Sequence, residues 1–181
     1  MLLVIATLVG LLAVPASAAY TLNDSGSVKI TQDGFGNYLS KKSGGTIGGG
    51  YWQYTSNDGL TGAAYCVNWG LTGVSPSKSL TVQPYNRSPQ TMGAFANGYP
   101  ARTLEQFKQL HQDDVRGIAN LTETEYKYAT QVAVWATCGQ ISVPGTTFTA
   151  GRTAVVEPTA DAQQIRIFDS VKGILRHAAQ W

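Results

Sequence analysis

Two cysteines, Cys66 and Cys138, are the most nucleophilic side chains in the sequence. Paired cysteines are common in exported proteins, so a Cys66–Cys138 disulfide is one interpretation, although an even count alone does not establish it. A Cys–His nucleophile pair with His111 or His177 is another, but the signature of papain-type enzymes is absent around Cys66. No Cys/His spacing fits a zinc site, so we expect neither a metal nor a cofactor.

The residues around Cys66 favour one of the possible roles of this cysteine. Tyr65 precedes Cys66, and residues 130–135 read Thr-Gln-Val-Ala-Val-Trp. This combination resembles the thioester domain of Gram-positive surface adhesins, where a Cys after an aromatic residue or Leu is joined covalently to the Gln of a Thr-Gln-x-Ala-aliphatic-Trp motif. The resemblance covers about residues 48–178. It implies that Cys66 and Gln131 form an internal thioester.

The chemistry of the two side chains agrees with that assignment. An amide is a poor electrophile, but a thiolate held against its carbonyl carbon can displace ammonia, because oriented intramolecular attack has an effective molarity of order 10⁵ M or more. The acyl group at Gln131 would then accept an amine, such as a lysine of another protein, and release Cys66. Such an event is covalent capture without turnover, so we do not expect an enzyme. Cys138 lies two helical turns beyond Gln131, too far to replace Cys66, and is expected to be a buried thiol.

Apolar side chains next to the reacting residues are candidates to protect the bond from water. Tyr65, Trp69 and Trp135 form the candidate shield, and Thr130 is the candidate supporting residue beside Gln131. Core packing is the simpler explanation of each aromatic residue taken singly, and a shield can also be part of a core.

The predicted elements place Cys66 on a strand and Gln131 in a helix. The chain from 20 to about 83 is rich in glycine, which predicts short strands at 27–31, 51–55 and 63–69 between turns at 33–34, 36–37, 44–45, 48–50 and 57–59.

Two capping boxes predict where helices begin. Thr103 with Gln106 and Thr122 with Glu125 have the required spacing ahead of apolar runs, and Gly139 is suited to end the second helix.

We predict an α+β fold with a β-sandwich or barrel. Its strands are the N-terminal ones and a later pair at 141–143 and 153–156, and a mainly helical subdomain is inserted at about 84–139. An amphipathic helix over about 161–179 completes the domain. The resemblance implies that the thioester lies at the junction of the two parts.

Residues 1–14 are almost wholly apolar and are followed by Pro-Ala-Ser-Ala. The run is too short to span a bilayer, so we interpret 1–18 as a secretory signal peptide and 19–181 as the thioester domain. The predicted location is the bacterial cell surface, with the wall anchor outside this chain.

The composition excludes two classes of partner. The chain has 13 Lys+Arg and 11 Asp+Glu, a net charge of +2 and no basic run, so neither nucleic acid nor a membrane surface is an expected partner. Apolar types make up 43% of the residues, which is enough for a folded core.

The predicted function is a bacterial adhesin domain that captures an amine of a host or surface protein covalently, acting as a monomer. The alternative is an exported, non-covalent protein- or carbohydrate-binding module stabilised by a Cys66–Cys138 disulfide. Its binding face would include the aromatic run at 51–54, which a half-buried strand also explains.

Overall fold

The structure is a computed structural model that describes residues 27–56, 59, 61–66, 69, 77–81, 88–149 and 154–181. The predicted signal peptide lies outside these residues. The elements, in chain order, are β1 (Ser27–Ser40), β2 (Thr46–Ser56), β3 (Thr61–Tyr65), β4 (Ser77–Thr81), α1 (Pro89–Asn97), α2 (Leu104–Leu110), a 3₁₀ turn (Ile118–Asn120), α3 (Glu123–Thr137), β5 (Ile141–Ser142), β6 (Ala154–Val155) and α4 (Ala162–Ala178).

The strands form two sheets of different kinds. One is antiparallel with the order β3-β2-β1-β4, and the other is the short parallel pair β5-β6. An antiparallel bridge between Lys41 and Val156 joins the second sheet to the end of β1. This mixture of helix and sheet confirms the predicted α+β class, and closure into a sandwich or barrel remains a prediction.

Three of the predicted glycine turns are wrong, because the glycines at 33–34, 36–37 and 48–50 lie inside β1 and β2. A Cβ at Gly36 would lie 2.4 Å from the Tyr128 ring, and one at Gly49 would lie 2.9 Å from the Trp135 ring. Glycine is therefore needed at these positions for close packing of aromatic rings on the strands rather than for chain reversal. The actual turn between β1 and β2 holds Gly44 and Gly45, which have positive φ.

The helix starts follow the predicted capping boxes. Thr103 and Gln106 cap α2 reciprocally, and Thr122 and Glu125 cap α3 in the same way. Gly139 has a φ of +71°, so it ends α3 as a left-handed residue. No helix is predicted from the sequence before residue 103, whereas the structure has α1, which begins after its N-cap Ser88.

Helix α3 is the centre of the core. It packs against β1 and β2 on one side and against α1 and α4 on the other. The helices α1 to α3 lie within the segment predicted as a helical insertion, and its status as a separate subdomain remains a prediction. Within the described residues, none of the helices has both the length and the apolar character that crossing a bilayer requires.

Candidate functional site

The fold brings Cys66 and Gln131 into direct contact. The backbone N–H of Cys66 donates to Gln131 Oε1 at 2.8 Å, and Gln131 Nε2 donates to the carbonyl oxygen of Cys66 at 2.7 Å. An N–H can only donate and a C=O can only accept, so these two bonds fix which end of the carboxamide is oxygen. The side-chain carbonyl of Gln131 is thus held beside the residue that carries the thiol.

Gln131 is fully buried in α3, and that position makes its hydrogen bonds important. A buried carboxamide without partners would destabilise the fold by several kcal/mol, about 2–7 depending on the reference state. The bonds to Cys66 remove much of that penalty and restrict the side chain to one orientation. Tyr128 and Trp135 flank Gln131 at the three- and four-residue spacing that the sequence predicts, and they contact the same strands.

Two residues that follow β3 are held by hydrogen bonds, one to α3 and one to a residue just beyond the end of α3. Cys66 is the first residue beyond β3 and binds Gln131, while the N–H of Trp69 donates to Gln140 Oε1 at 2.6 Å. Gln140 follows the residue that ends α3. Sequence reasoning missed Gln140, because a single polar residue after a helix carries no signal of what it contacts.

Thr130 organises a turn beside the site. Its Oγ1 accepts from the N–H of Tyr99 at 3.0 Å and donates to the carbonyl of Tyr126 at 2.9 Å. The hydroxyl of Tyr65 donates to the carbonyl of Tyr99 at 2.8 Å. Burial raises the pKa of Tyr65 well above its usual range, so this phenol stays a hydrogen-bond donor at neutral pH. Tyr65 and Thr130 therefore hold the strand and the helix to one turn.

The predicted shielding residues all pack on the core around the site. Trp135 is 3% exposed, and Tyr65, Cys66 and Trp69 are half-buried against the same cluster. The Nε1 of Trp135 is buried and has no hydrogen-bond partner among the described residues. The three aromatic side chains thus pack on the same cluster as Cys66, and their shielding role stays a prediction.

Cys138 lies at the end of α3 and has different neighbours from Cys66. Cys138 is the C-cap of α3, and its Sγ lies 3.8 Å from Thr91 Oγ1 of α1. Both cysteines belong to the described part of the chain, and no disulfide joins them. The disulfide on which the alternative function depends is therefore not favoured.

The histidines pair with each other rather than with a cysteine. His111 and His177 have ring centroids 5.4 Å apart in an edge-on arrangement, and the His111 ring lies tilted against Phe107 with centroids 4.4 Å apart. His111 is buried, although the sequence analysis assigns it no structural role. The described residues contain no cluster of His, Cys, Asp and Glu that could hold a metal ion.

A cavity of about 230 Å³ opens next to the site between β2, β3 and the Tyr99–Pro100 turn. Its wall includes Tyr65 and the ion pair of Lys127 with Asp33, whose Nζ–Oδ2 distance is 2.6 Å. Lys127 Nζ also lies 2.9 Å from Glu123 Oε1 and 4.7 Å from the centre of the Tyr99 ring. Glu123 and Lys127 have the four-residue spacing of a helical ion pair, but Asp33 and Tyr99 are distant in sequence and belong to no motif, so the cluster as a whole is not predicted.

A protein-family model described as "Thioester domain" matches residues 63–170, which is more than half of the chain. The chain belongs to the thioester domain family. The matched segment contains Cys66 and Gln131 together with Tyr65, Trp69 and Trp135.

A solved structure, "Thioester domain of the Enterococcus faecium TIE86 protein", is similar to this thioester domain. It has a TM-score of 0.54 and 19% sequence identity, and the match covers 88% of this chain. The chain spans about half of that structure's length (52%), and the likeness at this identity concerns the fold. No curated protein sequence matches the chain significantly.

Proposed function

We propose that this thioester domain captures an amine covalently through an internal thioester between Cys66 and Gln131. The observation that carries the proposal is the pair of hydrogen bonds that holds the Gln131 carboxamide on the backbone of Cys66. Membership of the thioester domain family supports the same assignment.

In the first step, the Sγ of Cys66 attacks the side-chain carbonyl carbon of Gln131. The C–N bond breaks, the thiol proton leaves with the nitrogen, and ammonia is released. Negative charge develops on Oε1 during the attack, and the Cys66 N–H, which already donates to the unreacted Oε1 at 2.8 Å, is the donor available to stabilise it. Cys66 thus supplies both the nucleophile and the oxyanion donor.

In the second step, the nitrogen of an incoming amine attacks the same carbon. The C–S bond breaks, one amine proton goes to the sulfur, and an amide links residue 131 to the partner while Cys66 returns to a thiol. The same N–H stabilises the oxyanion again. Cys66 is regenerated, but the acyl group at residue 131 stays bound to the partner, so each chain reacts once and is not an enzyme.

The surroundings of Cys66 and Gln131 fit a thioester that must resist hydrolysis until its partner binds. Trp135 belongs to the apolar cluster against which Tyr65, Cys66 and Trp69 pack, and Thr130 holds the adjacent turn. We propose a lysine of a host or surface protein as the natural partner. The biological role that follows is adhesion by an exported domain acting as a monomer at the cell surface.

Intact mass and amine labelling test the proposal. The purified chain should be lighter than its calculated mass by one ammonia, and methylamine should add once, at Gln131. Cys66→Ala should restore the calculated mass and abolish labelling, because no acyl transfer can start without the sulfur. Labelling that stops at one methylamine per chain supports capture without turnover.

Cys138→Ala is the matched control, because it removes the other thiol and should preserve both the mass defect and the labelling. Two results would reject the proposal: a wild-type chain at its calculated mass, or methylamine incorporation that persists in Cys66→Ala.

A further inference from the structure

Lys127 is a primary amine of the domain itself, and it lies close to the proposed acyl group. It precedes Gln131 by four positions in α3, so the two side chains project from one face of the helix with Cβ atoms about 5–6 Å apart. A lysine side chain is long enough to cover that separation. Self-reaction would consume the thioester before any partner arrived.

Three elements hold the Lys127 ammonium in place. Asp33 of β1 contacts Nζ at 2.6 Å, Glu123 of α3 contacts it at 2.9 Å, and the rings of Tyr99 and Tyr51 lie 4.7 and 5.9 Å away. The Lys127 side chain is only 13% exposed. Two carboxylates and two aromatic faces thus surround a single cation.

A β-bulge brings Asp33 to this position. The pairing of β1 with β2 steps from Gln32 directly to Gly34, which leaves Asp33 as the extra residue. Bulges re-aim a side chain out of the regular alternation of a strand. Here the re-aimed carboxylate meets Lys127 across the wall of the cavity.

The contacts also favour the charged form of the amine. Burial alone would lower the pKa of Lys127, but the hydrogen bonds to Asp33 and Glu123 outweigh it and hold the pKa above its usual range. An ammonium has no lone pair and cannot attack an acyl carbon.

We propose that Asp33 and Glu123 act as positioning residues that keep Lys127 from reacting with the domain's own thioester. The inference rests on the proposed function, since it needs an acyl group at Gln131. Without the two carboxylates, the Lys127 nitrogen attacks the Gln131 carbonyl carbon, the C–S bond breaks, and an amine proton passes to Cys66. The product is an amide between Lys127 and Gln131 within α3.

The test uses the full chain carrying Cys138→Ala, so that Cys66 is its single thiol. Asp33→Asn with Glu123→Gln removes both charges and preserves the side-chain shapes. After incubation in mildly alkaline buffer, the parent chain should retain its thioester, shown by methylamine labelling and an unreactive thiol. The double variant should show the same loss of one ammonia from its own calculated mass as the parent does, but it should lose methylamine labelling, gain one alkylatable thiol, and yield a Lys127–Gln131 cross-linked peptide on digestion.

Adding Lys127→Arg to the double variant should restore methylamine labelling, because a guanidinium stays protonated and is not a nucleophile here. A merely structural role of the cluster would produce no cross-linked peptide and no rescue by arginine. If the double variant does not fold, the single variants Asp33→Asn and Glu123→Gln take its place, and each should yield the same cross-linked peptide at a lower level.

Folded variants that keep full methylamine labelling, or that cross-link Gln131 to Lys41 beside Trp69 instead, would overturn the inference while leaving the thioester intact. A parent chain at its calculated mass would instead overturn the proposed function, and this inference with it.

Discussion

The two sides of α3 satisfy their buried polar groups in opposite ways. Toward α4, Glu125 is an ion that accepts from Arg166 Nη2 at 2.7 Å, from Gln163 at 2.8 Å and from the Thr122 N–H at 2.9 Å. Toward the sheet, Gln131 is neutral and exchanges hydrogen bonds with the backbone of Cys66. One side of the helix is fixed by charge, and the other carries a group that can change chemically.

This difference separates stability from reactivity. Removing one partner of a buried ion pair costs about 3–5 kcal/mol, because a charge is left without compensation. Losing the Gln131 amide nitrogen as ammonia removes one neutral hydrogen bond to Cys66, an interaction with a net contribution of about 0.5–1.5 kcal/mol. The proposed exchange of an amide for a thioester should therefore have a small cost in stability while the α4 side keeps the helix in place.

The largest expected effect lies on the charged side. Glu125→Ala should lower the free energy of unfolding by about 3–5 kcal/mol, because Arg166 is only 12% exposed and loses its partner. Urea unfolding monitored by circular dichroism measures this loss. The folded fraction should still show the ammonia mass defect.

Glu105→Ala is the matched control, since Glu105 is also in the first turn of a helix but is 82% exposed in its pair with Lys108. It should cost less than about 1 kcal/mol. A Glu125→Ala variant that folds as stably as this control would contradict the contrast between the two sides.

The next effect concerns the packing of α3 on the sheet. Gly49→Ala places a Cβ 2.9 Å from the Trp135 ring, so the helix or the ring must shift. Overpacking of this kind costs about 1–3 kcal/mol. Because Trp135 is one turn from Gln131, methylamine labelling of the folded protein should also fall, as measured by intact mass.

Thr46→Ala, at the exposed start of the same strand, should change stability by less than about 0.5 kcal/mol and leave labelling intact. Equal labelling of Gly49→Ala and Thr46→Ala would mean that the close contact does not position the site.

The sequence predicts the two sides of α3 unequally. Local signals succeed where the cause is local: the Thr122/Glu125 capping box starts α3. The three- and four-residue spacing of Tyr128, Gln131 and Trp135 does not reveal that α3 is buried on almost all sides. The Cys66–Gln131 contact follows only from the family resemblance, because no periodicity links two distant segments.

The features that the sequence predicts wrongly, or does not predict, have a common physical reason. Gly36 and Gly49 look like turn residues, yet their role is to admit aromatic rings from a helix about 90 positions away. The contacts of Lys127 with Asp33 and of Trp69 with Gln140 are likewise set by tertiary packing. Such contacts leave no trace in a single sequence, since composition and spacing describe only neighbours along the chain.

A smaller effect tests the turn that supports the site. Thr130→Val removes the acceptor of the Tyr99 N–H while keeping the side-chain volume, so we expect a loss of about 1–2 kcal/mol in the free energy of unfolding. Methylamine labelling should become slower, because the turn also carries the hydrogen bond from Tyr65. Thr130→Ser, which keeps the hydroxyl, should retain the labelling rate; a rate equal to that of Thr130→Val would contradict the role of the hydrogen bond.

The smallest expected effect is a pH dependence of stability that arises only on the α4 side of α3. Burial lowers the pKa of His111 and of His177 below the ordinary value of 6.5, despite the opposing influence of Asp114 on both. The unfolded chain then binds protons near pH 6.5 that the folded chain does not bind. The free energy of unfolding should therefore decrease as the pH falls through that value.

Glu125 makes stability depend on pH in a second, separate range. Burial would raise the pKa of this carboxyl, but the donors around it, led by Arg166, hold it below 4.5. The stability that depends on this ion is present at neutral pH and is lost only as the pH falls below 4.5. Urea titrations between about pH 7.5 and 5.5 consequently isolate the histidines, and His111→Gln should flatten the slope there.

The ammonia mass defect provides the contrast in the same pH range. Gln131 and the Cys66 backbone carry no titrating proton in their hydrogen bonds, so the ammonia mass defect of the folded chain should stay constant while stability decreases. A mass defect that disappears in parallel with the histidine titration would contradict this expectation. It would mean that the two sides of α3 are coupled, because protonation of histidines between α2 and α4 would then affect the thioester on the opposite side of the helix.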